Sequence, residues 1–407
     1  MTQINADRLL STLETLRNFG RDGTGVHRPA LTEADLSARL WLRAKLAHIG
    51  FDARIDRFGT VHGRAPGDAP VILIGSHTDT VPHGGWLDGA LGVGYALEIA
   101  TARAEAVGAS AARLDVVSFQ DEEGTFVPFL GSLGFIGEID DPASLADKQA
   151  LDGRRLGDAL AADVIRGQPI ARLDATRTLA FLEAHIEQGP RLEAKGLPIG
   201  IVTAIVGIRR FRIVVEGRAD HAGTTPLELR RDAGAAALRL AVAMLDRLAA
   251  ARGPDTVWNI GHVAFQPGAA NVVPAQASFM LEFRDVQEAM LESLETEMRA
   301  LAAAHSRAGG LPIAVHPTAQ IPAAPMTASI ADALEAAAKE LRLGAMRLSS
   351  GAGHDAMIMA RRIPAGMLFV PSIAGRSHDV TEDTRAADIV AGAQVMARAV
   401  DRLLATA

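Results

Sequence analysis

Val71-Ile72-Leu73-Ile74-Gly75-Ser76-His77-Thr78-Asp79-Thr80 is an unbroken apolar run that stops at a glycine and turns polar at once. Four apolar residues without alternation read as a strand buried on both faces. A helical stretch over 92–106 follows, then a second apolar run, Leu114-Asp115-Val116-Val117-Ser118-Phe119, which ends in Gln120-Asp121-Glu122-Glu123-Gly124. Strand, helix, strand in this rhythm predicts an α/β fold with a mostly parallel central sheet and flanking helices. Ligands of such sheets sit at the carboxyl ends of the strands, and both polar tails fall there.

Working outward, residues 7–49 read as helices separated by a loop over 20–29. Leu36, Leu40, Leu42 and Leu46 recur at near-helical spacing, and Thr32-Glu33-Ala34-Asp35 supplies a start. The character changes near residue 208, where Phe211, Ile213 and Val215 alternate with Arg212, Val214 and Glu216 as in a strand. Pro226 is expected to open a helix that runs to about residue 252. Strands over 257–265 and 277–284 come next, then a helix marked by Val286, Met290, Leu294, Met298 and Leu301 that stops at Gly309-Gly310, and a short strand over 311–315. Strand, helix, strand, strand, helix, strand is the ferredoxin-like split unit. It predicts an inserted α+β domain, residues 208–321, dividing the α/β domain into 1–207 and 322–407. A helix over 329–341, a glycine-rich loop over 349–354, a strand over 366–370 and a final helix complete the α/β part.

The chain has 407 residues, 48% apolar and 22% charged, enough for two or three domains and a sizeable core. A formal net charge of −7 argues against nucleic-acid or membrane-surface partners. With no cysteine, disulfides, thiolate metal sites, iron–sulfur clusters and cysteine nucleophiles are excluded. The opening residues lack the basic-then-apolar order of a signal peptide, and no apolar run approaches bilayer length, so a cytoplasmic enzyme is expected.

The chemistry-bearing residues gather around the strand ends. His77 ends the first run, and Asp79, two residues on, is placed to accept the second imidazole N–H. Asp88 lies in Gly84-Gly85-Trp86-Leu87-Asp88-Gly89, a turn that can bend to present a carboxylate between two cations; alone, it is equally a turn residue. Glu122 and Glu123 are neighbours, and alternation along a strand would send one to ligate and leave the other as a proton acceptor. Two carboxylates so close repel unless cations or protons compensate them. His185 and His378 carry no decisive spacing, and either reads as a ligand or an ordinary histidine. A His, an Asp and two Glu at strand ends and glycine turns is the kit of a water-activating metal hydrolase.

The stretches 75–79, 84–89, 121–124, 185–190, 221–226, 350–355 and 377–378 resemble the amidase/hydantoinase/carbamoylase group of dinuclear metallo-hydrolases, relatives of aminoacylases and dimeric dipeptidases. The match runs in order along nearly the whole chain. His185-Ile186-Glu187-Gln188-Gly189-Pro190 and His221-Ala222-Gly223-Thr224-Thr225-Pro226 separate this branch from ordinary peptidases. The resemblance implies an aminopeptidase-like mixed sheet and an inserted lid and dimerisation domain. It also implies two divalent cations, zinc or manganese with cobalt as a further candidate. One would take His77, Asp88 and His185, the other Asp88, Glu123 and His378. Glu122 would be the general base. His221 would stabilise the developing oxyanion, reaching the site of a partner subunit in a homodimer. Gln188, Asn271, Arg284 and the Gly353 backbone would contact a small substrate bearing a carboxylate. Read without the resemblance, Arg284 is equally a surface charge, Asn271 a turn residue and Gln188 a loop brace.

The implied activity is hydrolysis of a linear amide or ureido C–N bond, typically in an N-carbamoyl-L-amino acid, with allantoate-type ureides or N-acyl amino acids and dipeptides as alternatives. One departure bears on substrate: the group usually shows Glu-Glu-Gly-x-Arg-Phe, whereas this chain has Phe126 at the arginine position. Gly89-Ala90-Leu91-Gly92-Val93-Gly94 has the wrong spacing for a dinucleotide fingerprint and reads as a helix start packed closely on the sheet. No Gly-x-Ser-x-Gly elbow supports a serine hydrolase. A metal-stabilised binding protein without activity is disfavoured by the presence of Glu122.

Overall fold

The first apolar run forms the strand Val71–His77, every residue of it buried. In the computed structural model, which describes residues 2–406, the chain divides into two compact units, Met1–Thr203 with Pro325–Ala407, and Ala204–Ala324.

The first unit is built on a mixed sheet. Its order is Ile199–Ile205, Ala365–Val370, Thr178–Ile186, Val71–His77, Leu114–Phe119, Val61–Arg64 and Asp52–Ile55. The four strands from Ala365–Val370 to Leu114–Phe119 pair in parallel, and antiparallel strands flank them on both sides. The parallel strands are apolar runs because helices cover both faces. Helix Ala90–Val107 is buried over most of its length, and Leu91 and Val93 join Ile72, Ile74, Leu114, Val116, Leu182 and Leu368 in one core. Helix Glu33–His48 begins where the sequence places it, its first turn capped by the Thr32 side chain accepting the Asp35 N–H.

Close strand approach requires glycine at one point. A methyl on Gly75 would lie 1.9 Å from the Val117 carbonyl oxygen on the neighbouring strand. Gly75→Ala is therefore expected to lower stability by about 1–3 kcal/mol, the usual range for overpacking. A thermal melt of the cation-free variant that coincides with wild type would refute this.

The second unit has a four-stranded antiparallel sheet in the order Val257–Gln266, Gln276–Asp285, Gly207–Glu216, Ile313–Ile321. Helices Ala233–Ala251 and Glu288–Gly309 contribute Leu240, Met244, Leu294 and Met298 to a core with Phe211, Ile213, Val215, Phe279, Leu281 and Phe283. Strand and helix order is that of the split unit. Two boundaries differ from expectation, the last strand running Ile313–Ile321 rather than 311–315. Pro226 opens only the single turn Leu227–Leu229, and the long helix starts at Ala233, where the Asp232 side chain accepts the Ala235 N–H. A carboxylate at that position caps the helix, which a proline ring cannot do. Among the described residues no helix is long and apolar enough to cross a membrane.

Candidate metal centre

His77 ends its strand, and His185 lies near the same end of the parallel neighbour, Thr178–Ile186. Asp88 sits in the turn just before helix Ala90–Val107. Gly89 takes φ +62°, and a Cβ there would fall 2.4 Å from His77 Nε2, so only glycine lets the turn close over the histidine.

Two groups of possible ligands result, one formed by His77, Asp88 and His185 and the other by Asp88, Glu123 and His378. Asp88 belongs to both. Its Oδ1 lies 2.9 Å from His185 Nε2 and 3.6 Å from His77 Nε2. Its Oδ2 lies 3.1 Å from His378 Nε2, which is itself 3.4 Å from Glu123 Oε1. The first group is buried, whereas the His378 side chain is 48% exposed on a loop.

The imidazole hydrogen bonds say what these nitrogens are for. His77 Nδ1 is 3.0 Å from the Asp79 backbone carbonyl and His185 Nδ1 is 2.9 Å from that of Ile186. A carbonyl can only accept, so each Nδ1 carries a proton and each Nε2 is left with a lone pair turned toward the Asp88 carboxylate, that of His185 also receiving the Gly89 N–H at 3.1 Å. Lone pair facing carboxylate is resolved by a cation or by an added proton. Burial lowers His185, but Asp88 outweighs it and raises the imidazole to about 9. For His77 burial prevails over Asp88, pulling it down to about 4. Glu123 Oε1, buried, finds no hydrogen-bond donor among the described residues. The donor set is thus compatible with divalent cations.

Two expectations are corrected here. The strand carrying the glutamate pair ends at Phe119, so strand alternation does not separate Glu122 from Glu123. A bend does: Asp121 takes φ +58° and its carboxylate accepts the N–H groups of Phe126 and Val127 at 3.0 and 2.8 Å. The bend leaves Glu122 Oε2 3.7 Å from His77 Nε2, outside both ligand groups. Burial first, then neighbouring carboxylates, push both glutamates well above the ordinary range. Secondly, His77 is oriented by the backbone of Asp79, whose carboxylate stands 3.9 Å away. That carboxylate instead accepts the Glu123 N–H at 3.2 Å and faces Arg39 at 3.5 Å. Arg39 is fully buried, bonded to Asp35 and to the Ser118 and Phe119 carbonyls, and so braces the strand end below the glutamates.

Gln188 lies with this group, its amide nitrogen 3.1 Å from Asp88 Oδ2 and 3.2 Å from Ser377 Oγ. Gly353 precedes His354, whose ring packs 4.6 Å from that of His185 and bonds Ser350 Oγ at 2.8 Å. Phe126 is nearly buried, and the Arg154 guanidinium lies over its ring at 5.2 Å.

His221, Asn271 and Arg284 belong to the Ala204–Ala324 unit. His221 Nδ1 accepts the N–H groups of Gly223 and Thr224 at 3.0 and 3.2 Å, which leaves the ring proton on Nε2 as an exposed donor. The Asn271 carbonyl accepts the Ala222 N–H and so supports that loop. Arg284 directs Nε and Nη2 onto Glu282 Oε1 at 2.8 and 2.7 Å.

Sequence reading passes over Glu183 and Glu382. Glu183 is fully buried, bonding the Ser76 hydroxyl at 2.6 Å and the Ala356 N–H at 2.8 Å. Glu382 accepts the Leu87 and Asp88 N–H groups, both at 3.0 Å. No local pattern marks either residue, since all these partners are distant in sequence.

Residues 73–402 match the profile of Peptidase family M20/M25/M40. The chain is 34% identical to N-carbamoyl-L-amino-acid amidohydrolase of Paenarthrobacter aurescens, over 99% of both chains. It is 33% identical to allantoate amidohydrolase of Bacillus subtilis, over 94% of both. Among solved structures it resembles an amidase of the hydantoinase/carbamoylase family from Burkholderia phymatum, with a TM-score of 0.92 and 43% identity, covering 100% of this chain and 99% of that one.

Proposed function

We propose, for a chain that belongs to Peptidase family M20/M25/M40, hydrolysis of an N-carbamoyl-L-amino acid to the amino acid, ammonia and carbon dioxide. Its relatives make it an amidohydrolase acting on non-peptide C–N bonds. The observation that carries the reading is the pair of ligand groups sharing Asp88, with Glu122 beside them and outside both.

His77, Asp88 and His185 would hold one divalent cation, and Asp88, Glu123 and His378 a second, zinc or manganese or cobalt by donor type. When bound, such cations lower the pKa of water and polarise a carbonyl oxygen. Glu122 takes the proton from the attacking water as it adds to the carbamoyl carbon. It then delivers that proton to the amino-acid nitrogen as the C–N bond breaks. The carbamic acid released decomposes to ammonia and carbon dioxide. Glu122 suits both steps because burial raises its proton affinity.

Substrate contacts for Gln188, Gly353, His221, Asn271 and Arg284 remain part of the proposal. His221 offers an Nε2–H donor suited to an oxyanion, and Arg284, whose Nε and Nη2 bond Glu282, would exchange that partner for a substrate carboxylate. With Phe126 in place of arginine, a less polar substrate side chain or a differently placed carboxylate is expected, and preference for acidic side chains would count against that.

An assay over carbamoyl, acyl and ureido amino acids, on chelated and metal-reloaded protein, tests the reading. Equal ammonia and carbon dioxide from carbamoyl substrates, lost on chelation and restored by cations, is expected. Release of a free carboxylic acid, or turnover indifferent to chelation, would overturn it. Allantoate is the second candidate because a 33% identical relative carries that activity, and a ureide product would identify it.

A homodimer through the Ala204–Ala324 unit belongs to the same proposal. Val257–Gln266 is an edge strand with Val257, Val263 and Phe265 exposed, and the long helix exposes Leu238 and Val242. Open apolar edges invite pairing with a second copy. Val263→Glu should shift the protein toward monomer in analytical ultracentrifugation; an unchanged sedimentation profile would remove this interface.

A further inference from the structure

We infer that Glu382 is a positioning residue for the metal centre: it ties the Asp88 turn to the His378 loop and, through Ser377, keeps Asp88 Oδ2 open to a cation. The inference rests on the reading of two cation positions sharing Asp88.

Glu382 is 2% exposed and both oxygens of its carboxylate are engaged. Oε1 accepts both the Leu87 and the Asp88 N–H, and Oε2 lies 2.9 Å from Ser377 Oγ, next to His378. The carboxylate fills the space that glycine leaves at position 85, where a methyl would lie 1.9 Å from it. One side chain thus joins the turn that presents the shared ligand to the loop that carries the most exposed one.

A single proton links the two carboxylates. Ser377 Oγ lies 2.9 Å from Glu382 Oε2 and 3.1 Å from Asp88 Oδ2, and a hydroxyl donates to one acceptor at a time. Gln188 donates from the other side, 3.2 Å from Ser377 Oγ and 3.1 Å from Asp88 Oδ2. With a cation on Asp88 Oδ2, the Ser377 proton turns to Glu382 and no heavy atom need move. Glutamine at 382 would reverse this. Its oxygen keeps the Leu87 and Asp88 N–H bonds, its NH2 donates to Ser377 Oγ, and the Ser377 proton is driven onto Asp88 Oδ2. There it competes with the cation shared with Glu123 and His378. A cation held by His77 and His185, which face the other oxygen, would be spared.

Cobalt titration of full-length wild type, E382Q and E382Q/S377A tests this, followed by visible absorption and chelator competition, with a melt of each cation-free protein. Wild type should take up two cobalt ions. E382Q should keep one, with the other weakened about 10–100-fold, the usual effect of altering a residue behind a metal ligand. Removing the competing proton in E382Q/S377A should recover most of that affinity. Two ions bound by E382Q with wild-type affinity and spectrum would overturn the inference, as would a lowered melting temperature with unaltered cobalt affinities. A double variant no tighter than E382Q would also overturn it. If wild type binds two ions but hydrolyses no carbamoyl or ureido substrate, the substrate reading fails and the cobalt titrations still decide the role of Glu382. Fewer than two ions in wild type removes both.

Discussion

Glu122→Gln should lower kcat by roughly 10²–10⁴-fold, the usual contribution of a positioned general base, which corresponds to about 3–5 kcal/mol of barrier. The amide has nearly the shape of the carboxylate but cannot accept the water proton. Cation binding should survive, because Glu122 lies outside both ligand groups although its oxygen is only 3.7 Å from His77 Nε2. Substrate affinity should change little, since the loss falls on the chemical step. Steady-state kinetics with metal analysis on the same preparation separate the outcomes. Undiminished turnover with two cations bound would remove Glu122 from the mechanism, and loss of a cation would make it a ligand instead.

Asp88→Asn should have the larger structural consequence, with activity falling to the uncatalysed background and bound metal dropping from two ions to at most one. Each Asp88 oxygen faces different partners, Oδ1 the two buried histidines and Oδ2 His378. Asparagine offers one neutral oxygen in place of two charged ones. The effect extends to the cation-free protein. Burial works to raise the Asp88 carboxyl, but His185, His378 and His77 outweigh it and hold it well below its ordinary range. A depressed folded-state value stabilises the fold above the ordinary carboxylate range, and the contribution is lost as pH falls through that value. The cation-free variant lacks it and should melt below wild type at neutral pH by calorimetry. Two ions per chain in Asp88→Asn by elemental analysis would refute the shared-ligand geometry.

Much of the centre is legible in the sequence because strands and turns advertise themselves locally. Val71–Ile74 declares a buried strand, which puts His77 at its end, and the glycines around Asp88 declare a turn. Strand alternation is not what parts the two glutamates: the bend at Asp121 sends Glu122 one way and Glu123 the other. His185 and His378 are open on spacing alone and are assigned by resemblance. Boundaries fail where side-chain capping decides them, as at Asp232.

Other features are invisible in one dimension. Glu382 lies 295 residues along the chain from Leu87, whose N–H it accepts. Arg39 and Glu183 are ordinary helix and strand residues until the sheet brings Ser118 and Ser76 beside them. The order of residues alone determined the α/β rhythm, the split unit and the chemical kit, because periodicity and turn chemistry act over a few neighbours. Tertiary structure alone decided which Asp88 oxygen faces which histidine, which backbone carbonyl orients each imidazole, and which buried acids hold the loops. Those outcomes depend on packing and desolvation between segments far apart along the chain.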